Sequence, residues 1–150
     1  MPNQRDILDS CSGGHVFCAL DLKSGYLNIP VAPTTMPYLG VTTQDGLYCY
    51  CKMPLGLLAA PMHFQHVMDS VCGIFPGVRA YLDDLKMQGE HWRTCWHRML
   101  EVLEALASAG FMVNLRKFKL LVRVVKLLGH LVCRTTMMLN DKCIKSWLNL

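Results

Sequence analysis

No apolar run in the 150-residue sequence reaches the ~20 residues that a membrane-spanning helix needs, because stretches such as Leu55 to Met62 and Phe118 to Leu128 are broken first by His, Lys or Arg. A transmembrane helix is therefore not expected. The N-terminal MPNQRDILDS carries charges where a secretory signal would need an apolar core, so secretion is not indicated and an intracellular site is expected. Charge is scarce at 17% against 52% apolar residues, which excludes a disordered chain and predicts one real core, with an apolar patch left on the surface. Repeats, low-complexity tracts and linker-like stretches are missing, so a single unit is expected. The eight cysteines are scattered without a secretory context and read as reduced thiols. Cys49 and Cys51 form a C-x-C pair, but no second pair stands at zinc spacing, and His63 and His66 alone cannot complete a tetrahedral site.

What is present begins with a net charge of +4, with five of the fifteen Lys and Arg residues falling between Arg116 and Lys126. Such a cluster suits a polyanionic partner, because basic side chains neutralise phosphates and release counterions, although a solvated face is the commoner use of a basic run. Residues His15 to Leu22 read as a strand after the Gly13-Gly14 break, and Gly40 to Met53 as a hairpin turning at Gln44-Asp45-Gly46. Ala59 to Cys72 reads as a helix with Pro61 in its first turn and Gly73 at its end. Val78 to Leu82 and Leu85 to Gln88 form a second strand pair with Asp83-Asp84 at the tip. The strongest helical pattern is His91 to Ala109, with Trp92, Trp96, Met99, Leu103 and Leu106 as its apolar stripe and Gly110 as its cap. Val113 to Val132 predicts two or three short strands, turning last near Leu128-Gly129-His130. This mixed order predicts an α+β fold, an antiparallel sheet with helices packed on one face.

Asp21 falls inside an otherwise apolar strand, where an unpaired buried carboxylate would cost roughly 2 kcal/mol or more. If that strand pairs with the one beside Asp83 and Asp84, three carboxylates converge, and like charges so close call for a cation. A hard divalent ion with oxygen ligands is the natural one, which points to phosphoryl transfer. Spacing alone favours a plainer account, in which Asp83-Asp84 is a polar turn and Asp21 a strand end.

Four segments carry a resemblance beyond spacing. LDLKSGY from Leu20 to Tyr26, MPLGLLAAPMHFQ from Met53 to Gln65, YLDD from Tyr81 to Asp84 and LGH from Leu128 to His130 resemble, in order and separation, the successive palm motifs of gypsy-type LTR retrotransposon reverse transcriptases. A lead-in from Pro2 is also similar, and the likeness extends to about Val132. It implies a reverse transcriptase palm fold and RNA-directed DNA polymerase activity on an RNA or DNA template with a DNA primer. By that resemblance Asp21 and Asp83 bridge two Mg²⁺ ions, for which Mn²⁺ is an alternative, and Asp84 is their less directly engaged partner. It likewise places Leu22, Lys23, Ser24 and Gly25 at the triphosphate of the deoxynucleotide, and Tyr26 under the sugar, where its ring excludes a 2′-hydroxyl. Without the family, Tyr26 reads as a core tyrosine. Pro54, Gly56 and Gln65 are implied beside the nucleotide and template, and Leu128, Gly129 and His130 in the primer grip.

The sequence departs from the family at Leu55, where an aromatic is usual, at Leu57 to Pro61, which lose a Thr and an Asn, and at Arg79, Lys86 and Gln88 in strands that are normally apolar. Lys86 is a competitor for metal at Asp83 or Asp84. Fingers, thumb and RNase H segments are not found, so the chain is expected to be one partial palm domain of a longer polyprotein, working in the cytoplasm or a virus-like particle without membrane contact. Two other readings stay open: a decayed or domesticated palm that at most binds nucleic acid or protein, and an unrelated α+β interaction module with fortuitous motifs.

Overall fold

The structure is a computed structural model that describes residues 14–127, 130–133 and 137–139. Its strands are β1 (Val16–Asp21), β2 (Gly40–Thr43), β3 (Gly46–Cys49), β4 (Val78–Tyr81), β5 (Asp84–Gly89), β6 (Lys119–Val122), β7 (Val125–Leu127), β8 (His130–Val132) and β9 (Met137–Leu139). The helices are α1 (Ala60–Cys72) and α2 (Trp92–Ser108). The main sheet runs β4-β5-β1-β6, and its ladders are antiparallel. The lead-in at Pro2 lies outside the described residues. No described helix is long and apolar enough to cross a membrane.

Alternation along β1 sorts its side chains between two faces. Cys18, Leu20 and, just beyond, Leu22 join Leu85 and Met87 of β5 in the main core against Phe64 and Met68 of α1 and Met99, Val102 and Leu106 of α2. Phe17 and Ala19 point the other way and pack with Val125 and Val132 of the small β7-β8-β9 sheet. Both helices thus cover one face of the sheet, as the mixed element order predicts. The β2-β3 hairpin stands clear of the core, with every position exposed. Tyr38, Leu47, Leu55 and Leu58 are among the large apolar side chains left on the surface.

Helix α2 ends where Gly110 adopts φ 79. The Gly110 N–H donates to Ala107 O at 3.0 Å and that of Phe111 to Leu106 O at 2.8 Å, the paired bonds that close a helix on a left-handed residue. The buried face of α2 differs from the expected stripe: Cys95, Met99, Val102 and Leu106 are buried, whereas Trp92 is 55% and Trp96 36% exposed. The cause is the approach to Gly89 at the end of β5, where a Cβ would come within 2.9 Å of Cys95 N. That contact seats Cys95 downward and turns both tryptophans outward. Trp92 instead carries the Arg93 guanidinium over its ring at 5.4 Å.

Candidate active site

Asp21, the last residue of β1, lies opposite Asp84, the first residue of β5, in the antiparallel ladder. Leu82 and Asp83 form the β4-β5 turn, with Leu82 in the left-handed region at φ 53. The Leu22 N–H donates to the Asp83 carbonyl at 3.1 Å, fastening that turn to the end of β1. All three carboxylates therefore occupy one end of the sheet, Asp83 exposed and the other two half-buried. Register decides this, since a one-residue slip would send Asp21 to the helix face.

The turn is held from beneath by α1. Gln65, 3% exposed, accepts the Leu82 N–H at Oε1 (2.9 Å) and donates through Nε2 to Ala80 O (3.0 Å) and to Asp69 Oδ1 (2.8 Å). Gln65, expected beside the nucleotide, thus turns its amide inward to the hairpin, because a buried amide must satisfy its polar atoms where it lies. Its neighbour Phe64 stacks on Tyr26 with ring centroids 4.7 Å apart and meets Phe111 edge-on at 6.2 Å. A Cβ on Gly25 would come within 2.8 Å of Phe64, so only glycine fits there. Tyr26 is partly buried on Phe64, and its hydroxyl pKa is raised, by burial first and then by the Asp83 carboxylate.

Leu22 is buried and bridges to Val113. Lys23 and Ser24 are exposed in the turn that follows, with Ser24 at φ 51. Pro54 is buried and Gly56 is exposed at φ 94, on the segment between β3 and α1. No hydrogen bond or ion pair among the described residues ties either of them to the carboxylates. His130 opens β8, half-buried, while Leu128 and Gly129 lie outside the described residues.

Two cations reach the acidic cluster, so the carboxylates do not converge without lysine. Lys86, two residues along β5 and hence on the same face, is ion-paired with Asp84 although only 6% exposed. Lys117 Nζ lies 3.0 Å from Asp21 Oδ2. It is delivered by a 3-10 turn, Leu115–Lys117, whose start is capped by Asn114 accepting the Arg116 N–H at 3.2 Å. Burial raises the Asp84 pKa, Lys86 opposes that rise, and Asp83 and Asp21 add to it. The Lys117 pKa is raised by its hydrogen bond to Asp21 and by the charge of that group, but the side chain is exposed and water screens the pair. Lys86 announces itself in the sequence as a cation in a strand. Lys117 shows only as one member of the basic run, with nothing to mark it as the partner of Asp21.

Oxygen donors of this kind suit a hard divalent ion, for which one or two protein carboxylates are the usual share. As they stand, Asp21 and Asp84 are held by lysines, and among the described residues no three Asp, Glu, His or Cys side chains are gathered as a metal cage. Beside them runs a groove of about 360 Å³ with Asp21 and Asp84 in its lining and Arg116, Lys117, Lys119 and Lys126 as cationic walls.

An antiparallel sheet backed by two helices, with carboxylates facing each other on its central strands, is the palm arrangement of template-directed polymerases. A family model for reverse transcriptase (RNA-dependent DNA polymerase) matches residues 1–132, and the chain belongs to that family. It is 29% identical over 148 residues to a retrovirus-related Pol polyprotein from transposon opus of Drosophila melanogaster, covering 97% of this chain and 15% of the polyprotein. It is also 29% identical over 136 residues to the transposon Tf2-3 polyprotein of Schizosaccharomyces pombe, covering 87% of this chain and 10% of that protein. These retrotransposon relatives fit the gypsy-type resemblance of the motifs. The fold matches a foamy viral protease-reverse transcriptase solved in complex with double-stranded DNA, with a TM-score of 0.92 at 22% identity, over 100% of this chain and 26% of that one. The chain thus spans a small part of each of these relatives.

Proposed function

We propose that this chain is the palm of a retrotransposon reverse transcriptase, an RNA-directed DNA polymerase that joins deoxynucleotides to a primer 3′-hydroxyl. The observation that carries the reading is the β1-β5 register, which sets Asp21 opposite Asp84 with the Asp83 turn beside them. Asp21 and Asp83 would hold two Mg²⁺ or Mn²⁺ ions, with Asp84 as the less direct partner. Bound there, the ions would supply positive charge to the attacking 3′-oxygen and to the departing pyrophosphate. Lys23, Ser24 and the backbone from Leu22 to Gly25 meet the triphosphate, and Tyr26, braced on Phe64, fills the space that a 2′-hydroxyl would need. Arg116, Lys119 and Lys126 offer charge to the phosphates of a template and primer. Gln65 acts through the turn it holds rather than on the nucleotide. Fingers, thumb and RNase H regions of a longer polyprotein would complete the enzyme, in the cytoplasm or in a virus-like particle.

A second reading, a palm that binds nucleic acid without polymerising, is favoured by one observation: lysines already neutralise two of the three carboxylates. Primer extension on an RNA template with Mg²⁺ and deoxynucleotides separates the two. Extension that disappears in Asp83→Ala establishes the polymerase, whereas binding of primer and template with no extension, even when the fingers and thumb regions of a related polyprotein are joined to the chain, selects the second reading.

The lysine effect has its own test. Removing a cation within a few ångströms of a metal-binding carboxylate should strengthen metal binding, so Lys86→Met is expected to raise Mn²⁺ affinity about ten-fold. Electron paramagnetic resonance of free Mn²⁺ titrated with each protein measures this without any need for turnover. Equal affinities would mean that Lys86 does not compete for the site.

A further inference from the structure

Two thiols that the proposed reaction does not use meet in the main core. Cys18 on β1 and Cys95 in the first turn of α2 are both fully buried, and their sulfurs lie 3.4 Å apart across 77 residues of sequence. The Cys95 S–H donates to Cys18, which also accepts the Leu121 N–H at 3.4 Å. An S–S bond of about 2.05 Å would need the sulfurs to approach by little more than 1 Å. We propose that Cys18 and Cys95 form a dithiol oxidation site, which a two-electron oxidant such as hydrogen peroxide converts to an intramolecular disulfide.

The other described cysteines differ from this pair, Cys133 being half-buried just after β8. Cys72 is buried alone, and burial, helped by Asp69, pushes its thiol up to about 11, where it is unreactive. Cys49 and Cys51 are exposed on and just after β3. Cys18 is held down at about 7 by the bond from Cys95, with burial opposing and the Leu121 amide assisting, while Cys95 is pushed up by the same bond and by burial. Cys18, whose sulfur accepts both the Cys95 S–H and the Leu121 N–H, is the one stabilised as a thiolate and is the nucleophile. Its sulfur attacks a peroxide oxygen, forming a sulfenic acid and releasing one water, and the Cys95 sulfur then displaces the sulfenic oxygen as a second water. Two thiols and one peroxide give one disulfide and two waters. A cleft of about 540 Å³ lined by Gly77, Gly89 and Arg98 also takes in Thr94, the residue before Cys95, and brings solvent to that turn.

The bond would staple α2 to the strand that carries Asp21, three residues beyond Cys18. Closing so long a loop constrains the unfolded chain, so the oxidised protein should melt at a higher temperature than the reduced one. The test treats the folded chain with peroxide, alkylates the remaining thiols under denaturing conditions and maps the peptides by mass. The expected product is a crosslinked peptide joining Cys18 to Cys95, 2 Da lighter than the two thiol peptides together and cleaved by dithiothreitol. It should persist in a Cys49→Ser, Cys51→Ser double variant and be absent from Cys95→Ser. Recovery of Cys18 and Cys95 as alkylated thiols while Cys49 and Cys51 are oxidised would overturn the proposal, as would a crosslink from Cys18 to any other cysteine. The double variant keeps the test decisive if Cys95→Ser does not fold.

Discussion

Phe64→Ala is expected to lower the free energy of unfolding by about 3–5 kcal/mol, the usual cost of truncating a fully buried aromatic residue to alanine. The side chain is wholly inaccessible to solvent, and it touches three things at once. Tyr26 lies stacked on it with the planes 25° apart, Phe111 meets it at 90°, and Gly25 leaves no space between its backbone and the ring. Collapse into the vacated volume is hindered because Tyr26 and Gly25 belong to a short turn fastened through Leu22 to Asp83. The cavity therefore persists and its cost adds to that of the lost burial. Since domains of this size are stable by about 5–15 kcal/mol, the variant would lose a large share of its margin. Urea unfolding followed by tryptophan fluorescence measures it. A loss under about 1 kcal/mol would show that α1 can close over the gap and that Phe64 is not what braces Tyr26.

Gln65→Leu is expected to cost about 2–4 kcal/mol, although leucine matches the shape of glutamine well. The loss comes from the partners left behind. The Leu82 N–H and the Ala80 carbonyl both give up a bond to the Gln65 amide, and each stranded polar group carries its own desolvation penalty. Leu82 also holds a left-handed conformation that leucine seldom adopts, and the bond to Gln65 helps to keep it there. Hydrogen exchange at the Leu82 amide reports directly on that bond. Protection should fall by far more in Gln65→Leu than in a variant at the exposed neighbour His66. An amide that stays protected, with stability unchanged, would mean that the turn holds its shape without α1. Because Asp83 belongs to the same turn, this measurement also shows how far the carboxylate's position depends on a residue that never touches it.

Much of this molecule was legible before any coordinates. The run of β-formers from His15 to Leu22 behind its glycine break, the apolar recurrence from Phe64 to Cys72 and the glycine after Ala109 are local signals, and local signals suffice to mark strands, helices and their ends. The order of the four motifs carried the family. The palm fold followed from that order, and the match of residues 1–132 to the reverse transcriptase family agrees with it.

What local signals cannot encode is which groups meet across the chain. Trp92 and Trp96 satisfy a helical repeat as well as Cys95 and Met99 do, and only the close approach to Gly89 decides which face turns inward. The resemblance puts Gln65 beside the nucleotide, and only with α1 laid beneath the β4-β5 turn does its bond to Leu82 come into view. Lys117 is one cation in a basic run until the turn at Asn114 brings it to Asp21. Local periodicity thus determined the elements, and the order of the four motifs determined the lineage, because both are written along the chain. The pairing of charges, the choice of helix face and the meeting of Cys18 with Cys95 depend on three-dimensional distance, and only the tertiary structure decided them.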